Sequence, residues 1–273
     1  MKIFLTGTTG FVGRNLCDYY KDHEVFQYLR HMDVKRSLDF FKPDIIINSA
    51  AEIYNAEVMW ESNVLMVLAC LEYVKNNPNT KMIQIGSSAE YGPMPRPTKE
   101  TDRINPVDMY QATKGSASLM CQGYARVYGL NIKVARPYSI YGRYEKPHRL
   151  FPRLWRAALL QEPMKLYHGV HDFIYIDDFV RGIDLLVGKD KEPLGDIINF
   201  GSGIQYTNLE VLELFQKIAG KEIPVEFINQ MVKVYENDVW VCDTSYAREQ
   251  YGFETEYTLE QGIQDFLRTA DYN

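Results

Sequence analysis

The stretch Ile3-Phe4-Leu5-Thr6-Gly7-Thr8-Thr9-Gly10-Phe11-Val12-Gly13 constrains this chain more than any other. Ile3 to Leu5 is a short apolar run of buried-strand type. Glycine then recurs at every third position, and Arg14-Asn15-Leu16-Cys17-Asp18-Tyr19-Tyr20 continues with helical character. Strand, glycine turn and helix, in that order, is the setting in which this spacing carries meaning. Gly7 permits a tight turn, Gly10 lets a phosphate approach the backbone, and Gly13 lets the helix lie against the strand. The open N–H groups and positive end of that helix suit a diphosphate. A strand-to-helix turn with no ligand fits the same residues equally well, so residues elsewhere decide the matter.

The totals narrow the partners. At 273 residues the chain can bury a full core, as one large domain or as a domain with a smaller lobe. A net charge of −6, with Lys and Arg scattered, argues against nucleic acid or an anionic membrane as partner. No apolar run approaches the length of a membrane span, and the first residues read as a strand and not as a signal peptide. Cys17, Cys70, Cys121 and Cys242 form no CxxC, which fits a reducing cytoplasm and predicts no metal site.

Strand and helix patterns alternate along the first half. Glu24–Leu29, Asp44–Ala51, Lys81–Ile85 and Leu130–Ala135 read as strands. Lys35–Phe41, Glu57–Lys75 and Met109–Tyr128 read as helices, with Asn76-Asn77-Pro78-Asn79 stopping the second of these. Arg136–Gly142 reads as a loop. Such alternation predicts a doubly wound, mostly parallel α/β sheet with helices on both faces. Beyond Gly142 the rhythm changes. Helices are expected at 150–161, 179–187, 209–218 and 259–267, and short strands at 197–200 and 225–228, making a smaller mixed lobe.

Tyr110-Gln111-Ala112-Thr113-Lys114 places a phenol and an ammonium one helical turn apart. A nearby ammonium stabilises phenolate and so lowers the tyrosine pKa, which suits proton exchange with a sugar or alcohol oxygen. Ser87, just after a middle strand, can hydrogen-bond the same oxygen. The pair alone also fits an exposed helix face. The glycine turn, Ser87 and the pair in this order point to chemistry.

With these residues in place the chain resembles a known family: the extended short-chain dehydrogenases/reductases, or NAD-dependent epimerase/dehydratase family, which modify nucleotide sugars. The resemblance rests on the glycine turn, Asp33-Val34, Asn48-Ser49-Ala50-Ala51, Asn63 and Gly86-Ser87-Ser88-Ala89-Glu90-Tyr91-Gly92. Tyr110 with Lys114, Arg136-Pro137-Tyr138-Ser139-Ile140-Tyr141-Gly142 and Asp172-Phe173-Ile174-Tyr175-Ile176-Asp177-Asp178 complete it. It implies a Rossmann-type domain from residues 1–142 and about 172–200, and a nucleotide-sugar lobe from about 143–171 and 201–273. It implies Tyr110 as acid/base, Lys114 on the nicotinamide ribose, and Ser87 on the reacting oxygen. The cofactor would meet Gly7, Thr9, Gly10, Phe11, Val12, Gly13, Arg30, Asp33, Val34, Ala50, Ala51, Lys114 and Pro137. The substrate would meet Ser88, Ser139, Arg149, Arg153, His171 and Lys233. A homodimer through the helices at 57–75 and 109–128 is also implied.

Departures from the family pattern narrow the expected reaction. Sugar 4,6-dehydratases of the family carry Asp-Glu directly after the catalytic Ser/Thr; here those positions are Ser88 and Ala89. GDP-fucose synthases, which the chain also resembles, use a Cys and a His to epimerise. Ala89 stands at the Cys position, and Arg149 stands near the His position with His148 beside it. Simple hydride chemistry at C4 remains. Arg30, at the end of the second strand, suits a ribose 2′-phosphate and favours NADP over NAD, although a solvated surface Arg fits as well. The leading expectation is a C4 ketoreductase acting on a nucleotide-linked 4-keto sugar. The alternatives are a C4 epimerase that retains NAD and, behind it, a non-catalytic dinucleotide sensor.

Overall fold

The computed structural model describes residues 1–189, 192–228 and 238–269. β1 (Lys2–Thr6) sends Ile3 and Leu5 into one apolar cluster and Phe4 into another, as the two-residue period of a strand requires. It leads into α1 (Phe11–Tyr19), β2 (Glu24–Gln27), α2 (Val34–Phe41) and β3 (Ile45–Asn48). α3 (Ala56–Trp60), a π-helical turn (Glu61–Leu65) and α4 (Met66–Asn76) follow without a break, then β4 (Lys81–Ile85). A 3₁₀ turn (Ser88–Tyr91), α5 (Met109–Tyr128), β5 (Ile132–Pro137) and β6 (Ser139–Tyr141) complete the first half. α6 (Leu150–Leu160), β7 (Met164–Tyr167), β8 (Val170–Tyr175), α7 (Ile176–Gly188) and β9 (Asp196–Phe200) come next. The chain ends with β10 (Gln205–Thr207), α8 (Asn208–Ala219), β11 (Val225–Ile228), α9 (Ser245–Tyr251) and α10 (Leu259–Thr269).

Six strands form one sheet in the order β2-β1-β3-β4-β5-β9, every neighbouring pair parallel. α1 and α7 pack together on one face, and α2, α4 and α5 lie side by side on the other. The expected doubly wound α/β sheet is therefore the observed one. The strand order reverses at β1, so a crevice opens between the C-terminal ends of β1 and β3. The apolar cluster on the α1 and α7 face runs on into the smaller lobe, through Tyr141, Phe151, Tyr175, Phe215 and Phe266. Beside the large sheet stand a three-stranded sheet, β10-β8-β6, whose β6 and most of β8 come from residues expected in the Rossmann-type domain, and the parallel pair β11-β7.

Several elements differ from the sequence reading. The helix expected over 57–75 contains the π turn at Glu61–Leu65, which turns Asn63 inward to full burial. β2 stops at Gln27, two residues short of the expected Leu29, after a last ladder bond from Tyr28 N to Leu5 O at 2.9 Å. The segment expected as a loop over 136–142 is the end of β5 and the whole of β6. β7, β10 and α9 are additional; each is short, and its pairing or packing partner is distant in sequence. Among the described residues no helix is long and apolar enough to cross a membrane.

Candidate active site

The glycine turn ends β1 at the crevice. Gly7 has φ +68°, and its carbonyl accepts a hydrogen bond from Gly10 N at 2.9 Å. Gly10 is the N-cap of α1 and offers no side chain to close the helix start, which leaves the first N–H groups open. A Cβ on Gly7 would lie 2.7 Å from Ala50 N. A Cβ on Gly13 would overlap the Gly7 carbonyl oxygen and lie 2.6 Å from its carbon. The turn is thus a cradle that side chains would fill, and it fits a dinucleotide diphosphate. Thr9 is exposed at its tip, while Phe11 and Val12 are half-buried against the core.

A polar chain ties the strand ends around this cradle. Thr6 Oγ1 accepts from Ala50 N at 3.1 Å and donates to Asn48 Oδ1. Asn48 Nδ2 donates to Gln84 Oε1 at 2.7 Å, and Gln84 Nε2 to Ile85 O at 2.8 Å. This chain holds the loop carrying Ala50 and Ala51 at a fixed distance from the turn. Asn63 fastens the same loop to α5. Its Oδ1 accepts from Glu52 N at 2.8 Å, and its Nδ2 donates to Glu52 O at 2.9 Å and to Thr113 Oγ1 at 3.0 Å.

Ser87 stands at the N-cap of the 3₁₀ turn directly after β4. Its Oγ accepts from Ala89 N at 3.2 Å, which leaves the hydroxyl proton for another acceptor. Lys114 is buried, and its Nζ donates to Ile85 O at 2.5 Å, two residues before Ser87. Burial pushes the Lys114 ammonium down to about 8, against the opposing pull of the Glu90 carboxylate. Tyr110 is half-buried, one turn earlier on α5, and its carbonyl accepts from Thr113 Oγ1 at 3.0 Å. The 3₁₀ turn packs on α5, which carries Lys114 to the end of β4 and Tyr110 one helical turn before it. Asp108 caps α5 by accepting from Gln111 N at 2.8 Å, which sets where Tyr110 enters the helix.

The other residues proposed for the cofactor sit near the crevice. Arg30 is exposed beyond β2; it donates to Ser62 Oγ at 3.1 Å and bears on the Glu52 carboxylate. Glu52 is held below the usual carboxylate range by hydrogen bonds from the Tyr54, Asn55 and Ile53 amides. Asp33 caps α2, accepting from Arg36 N at 2.9 Å, with Val34 half-buried next to it. Pro137 is buried at the end of β5.

The residues proposed for the substrate do not form one cluster. Ser139 Oγ and His171 Nδ1 are 3.2 Å apart, on the neighbouring strands β6 and β8. Ser88 is buried beside Tyr138 and Trp240. Arg149 Nε is committed to Glu145 Oε1 at 3.1 Å and its Nη2 to Ile140 O at 3.3 Å. Burial pushes Glu145 up to about 7 in spite of that arginine. Arg153 donates to the Lys165 carbonyl on β7. Lys233 lies outside the described residues. A cleft of about 860 Å³ between α5, β9 and α9 takes in none of the residues proposed for cofactor or substrate.

Two contacts near the strand ends were not foreseen from the sequence. Glu90 bonds the Ser87 amide at 2.7 Å, a partner legible in the Ser-x-x-Glu spacing of a capping box. The Tyr54 hydroxyl lies 2.8 Å from His148 Nε2, joining the loop after β3 to the loop after β6. That pairing has no signal in the sequence, because 94 residues separate the partners. Among the described residues no group of three or more His, Cys, Asp or Glu is placed to hold a metal ion.

Comparison with known proteins agrees with this arrangement. A UDP-glucuronate 4-epimerase of Thermodesulfobacterium geofontis is 29% identical over 82% of this chain and 68% of its own. The crystal structure of a dTDP-glucose 4,6-dehydratase from Bacillus anthracis in complex with NAD superposes with a TM-score of 0.89. It is 24% identical and covers 100% of this chain and 97% of its own. A UDP-glucuronic acid 4-epimerase from Bacillus cereus, in complex with UDP-glucuronic acid and NAD, gives a TM-score of 0.87 at 23% identity, with 98% of each chain covered. The model of the NAD-dependent epimerase/dehydratase family matches residues 3–201, from the first strand to the loop after β9, and the chain belongs to that family.

Proposed function

We propose that this protein transfers hydride at C4 of a nucleotide-linked sugar, and that it acts as a ketoreductase on a 4-keto sugar. The observation that carries this reading is the buried Lys114 Nζ on Ile85 O, two residues before Ser87, with Tyr110 one turn earlier on α5 and with Ser88 and Ala89 where a carboxylate pair would be needed to remove water. A bound NADPH or NADH supplies the hydride. Tyr110 gives its hydroxyl proton to the sugar oxygen as negative charge develops there. The Ser87 hydroxyl donates to the same oxygen and orients it. The Lys114 ammonium uses one N–H on Ile85 O, which leaves donors for a ribose hydroxyl and for the Tyr110 oxygen.

Arg30 supports NADPH as the partner, since a guanidinium binds a 2′-phosphate with charge-assisted hydrogen bonds. Replacing Arg30 by Ala is expected to weaken NADPH binding about tenfold and to leave NADH binding nearly unchanged. Titration by nicotinamide fluorescence checks this, and an equal effect on both dinucleotides removes Arg30 from the choice of cofactor.

A second reading, C4 epimerisation with retained NAD, is favoured by the relative named a UDP-glucuronate 4-epimerase and by the structural neighbours that hold NAD. One preparation separates the two. The protein is denatured and its supernatant assayed for dinucleotide, while the native enzyme is tested on UDP-glucose, UDP-glucuronate and a dTDP-4-keto-6-deoxy sugar. Reduction of the keto sugar with added NADPH or NADH, by protein that carries little nucleotide, supports the reductase. Nearly one NAD per chain, with C4 inversion of a UDP-sugar, supports the epimerase.

Exposed Trp60, Leu65, Met109 and Leu119 lie on the α3–α4 and α5 segments, and they support a homodimer through those helices. The expected solution mass at micromolar concentration is that of two chains; a monomer contradicts this assembly.

A further inference from the structure

We infer that Glu90 is a positioning residue for the Ser87–Tyr110–Lys114 set: its carboxylate fixes the Ser87 backbone and supplies the buried negative charge next to the Lys114 ammonium. The inference rests on the hydride-transfer reading above and adds to it a residue that touches neither sugar nor dinucleotide.

The geometry has two halves. Glu90 is fully buried, and one of its oxygens accepts from Ser87 N at 2.7 Å. The other holds Arg136, from Nε at 2.9 Å and from Nη2 at 2.8 Å. Arg136 is itself clamped: its guanidinium lies 4.6 Å over the Tyr91 ring, and the Tyr91 hydroxyl donates to Asn199 Oδ1 at 2.8 Å. A buried carboxylate bonded on both oxygens has one position, and so therefore has the Ser87 amide. The Ser87 hydroxyl inherits that placement, because its oxygen is tied to the next turn through Ala89 N.

The second half concerns charge. Lys114 and Glu90 converge on the tripeptide Ile85-Gly86-Ser87. The ammonium is on Ile85 O, and the carboxylate is so close to Gly86 that a Cβ there would lie 2.6 Å from Glu90 Oε1. Burial drives the ammonium toward its neutral form, and Glu90 opposes this. Cys121 acts in the same sense but less than Glu90. Cys121 on α5 and Cys70 on α4 are buried thiols pushed up by desolvation, and Asn63 and Thr113 are neutral. Arg136 on β5 is bound to Glu90, and Glu72 on α4 is spent on Tyr124 and Lys75. Tyr110 shares the helix with Lys114, one turn earlier.

An anion beside an ammonium raises the pH at which the ammonium loses its proton, so removing the anion lowers that pH. The readout is dinucleotide affinity against pH, measured by nicotinamide fluorescence with NADH and with NADPH, alongside thermal unfolding. In the unaltered protein affinity is expected to fall as pH rises through about 8, where Lys114 loses its charge. Glu90→Gln keeps an acceptor for the Ser87 amide but removes the charge, and the midpoint is expected to move down by about one pH unit. Glu90→Val combined with Arg136→Met removes both charges of the pair, so no buried guanidinium is left unpaired. Its midpoint is expected to move the same way by a smaller amount, because loss of the guanidinium works in the opposite sense, and it decides the matter if Glu90→Gln does not fold. A folded variant whose midpoint equals that of the unaltered protein overturns the inference and leaves the hydride-transfer reading standing. If the unaltered protein binds neither dinucleotide, that reading fails, and the inference fails with it.

Discussion

Replacing Tyr110 by Phe lowers turnover by about 1000-fold and leaves the fold and dinucleotide binding in place. The size follows from the role. In the proposed reaction the phenol hydroxyl is the proton donor to the reacting oxygen, and Ser88 and Ala89 carry no acid to replace it. The selectivity follows from the surroundings. Tyr110 takes part in the Asn63–Thr113 network through its backbone carbonyl, which Phe keeps. The ring is half-buried, so exchange of one hydroxyl changes stability by less than about 1 kcal/mol. The measurement is turnover on the same sugar panel, with thermal unfolding and a dinucleotide titration on each protein. Full activity in Tyr110→Phe would leave the non-catalytic, dinucleotide-sensing reading as the better one.

Replacing Gly13 by Ala is expected to have the largest effect on the scaffold. The added Cβ meets backbone atoms, Gly7 C at 2.6 Å and Thr8 Cα at 2.9 Å, and neither can swing aside as a side chain tip would. α1 must move off β1 or the glycine turn must open. Overpacking of this kind costs about 3 kcal/mol. Either movement also takes the N–H groups at the start of α1 away from the diphosphate, so dinucleotide affinity should fall about 100-fold. Gly123 in α5 is the control. Nothing lies within 4 Å of a Cβ built there, so Gly123→Ala is expected to be neutral or stabilising by about 0.5 kcal/mol. Equal melting temperatures for the two variants would mean that the close approach of α1 to the turn is not needed.

Much of the large sheet was legible because its signals are local. β1, β4 and α5 carry strand or helical patterns over consecutive residues, and α5 has both its ends written in sequence, Asp108 as cap and Gly129 in the left-handed conformation after it. β6 and β10 were not legible. Each has three residues, and each exists only because β8 lies beside it. The π turn was hidden for a similar reason. Glu57–Lys75 has an unbroken helical pattern, and the extra residue is accommodated where Asn63 bonds Glu52 and Thr113. Arg149 shows the limit for the substrate side. As a residue type it fits either a diphosphate contact or a surface charge, and the fold adds bonds to Glu145, four residues earlier, and to Ile140 O.

The sequence by itself determined the glycine turn, the Tyr110 and Lys114 pair one helical turn apart, and the position of Ser87 after a middle strand. Each of these is a matter of residue type and short spacing, and steric rules act on them directly. Only the tertiary structure decided how those groups are charged and aimed. Lys114 loses its solvent shell on folding, takes one carbonyl in exchange, and faces a carboxylate held by an arginine from β5. The cost of burying a charge and the gain from pairing it depend on groups from several elements at once, and those are neighbours only after β4, β5 and α5 have packed.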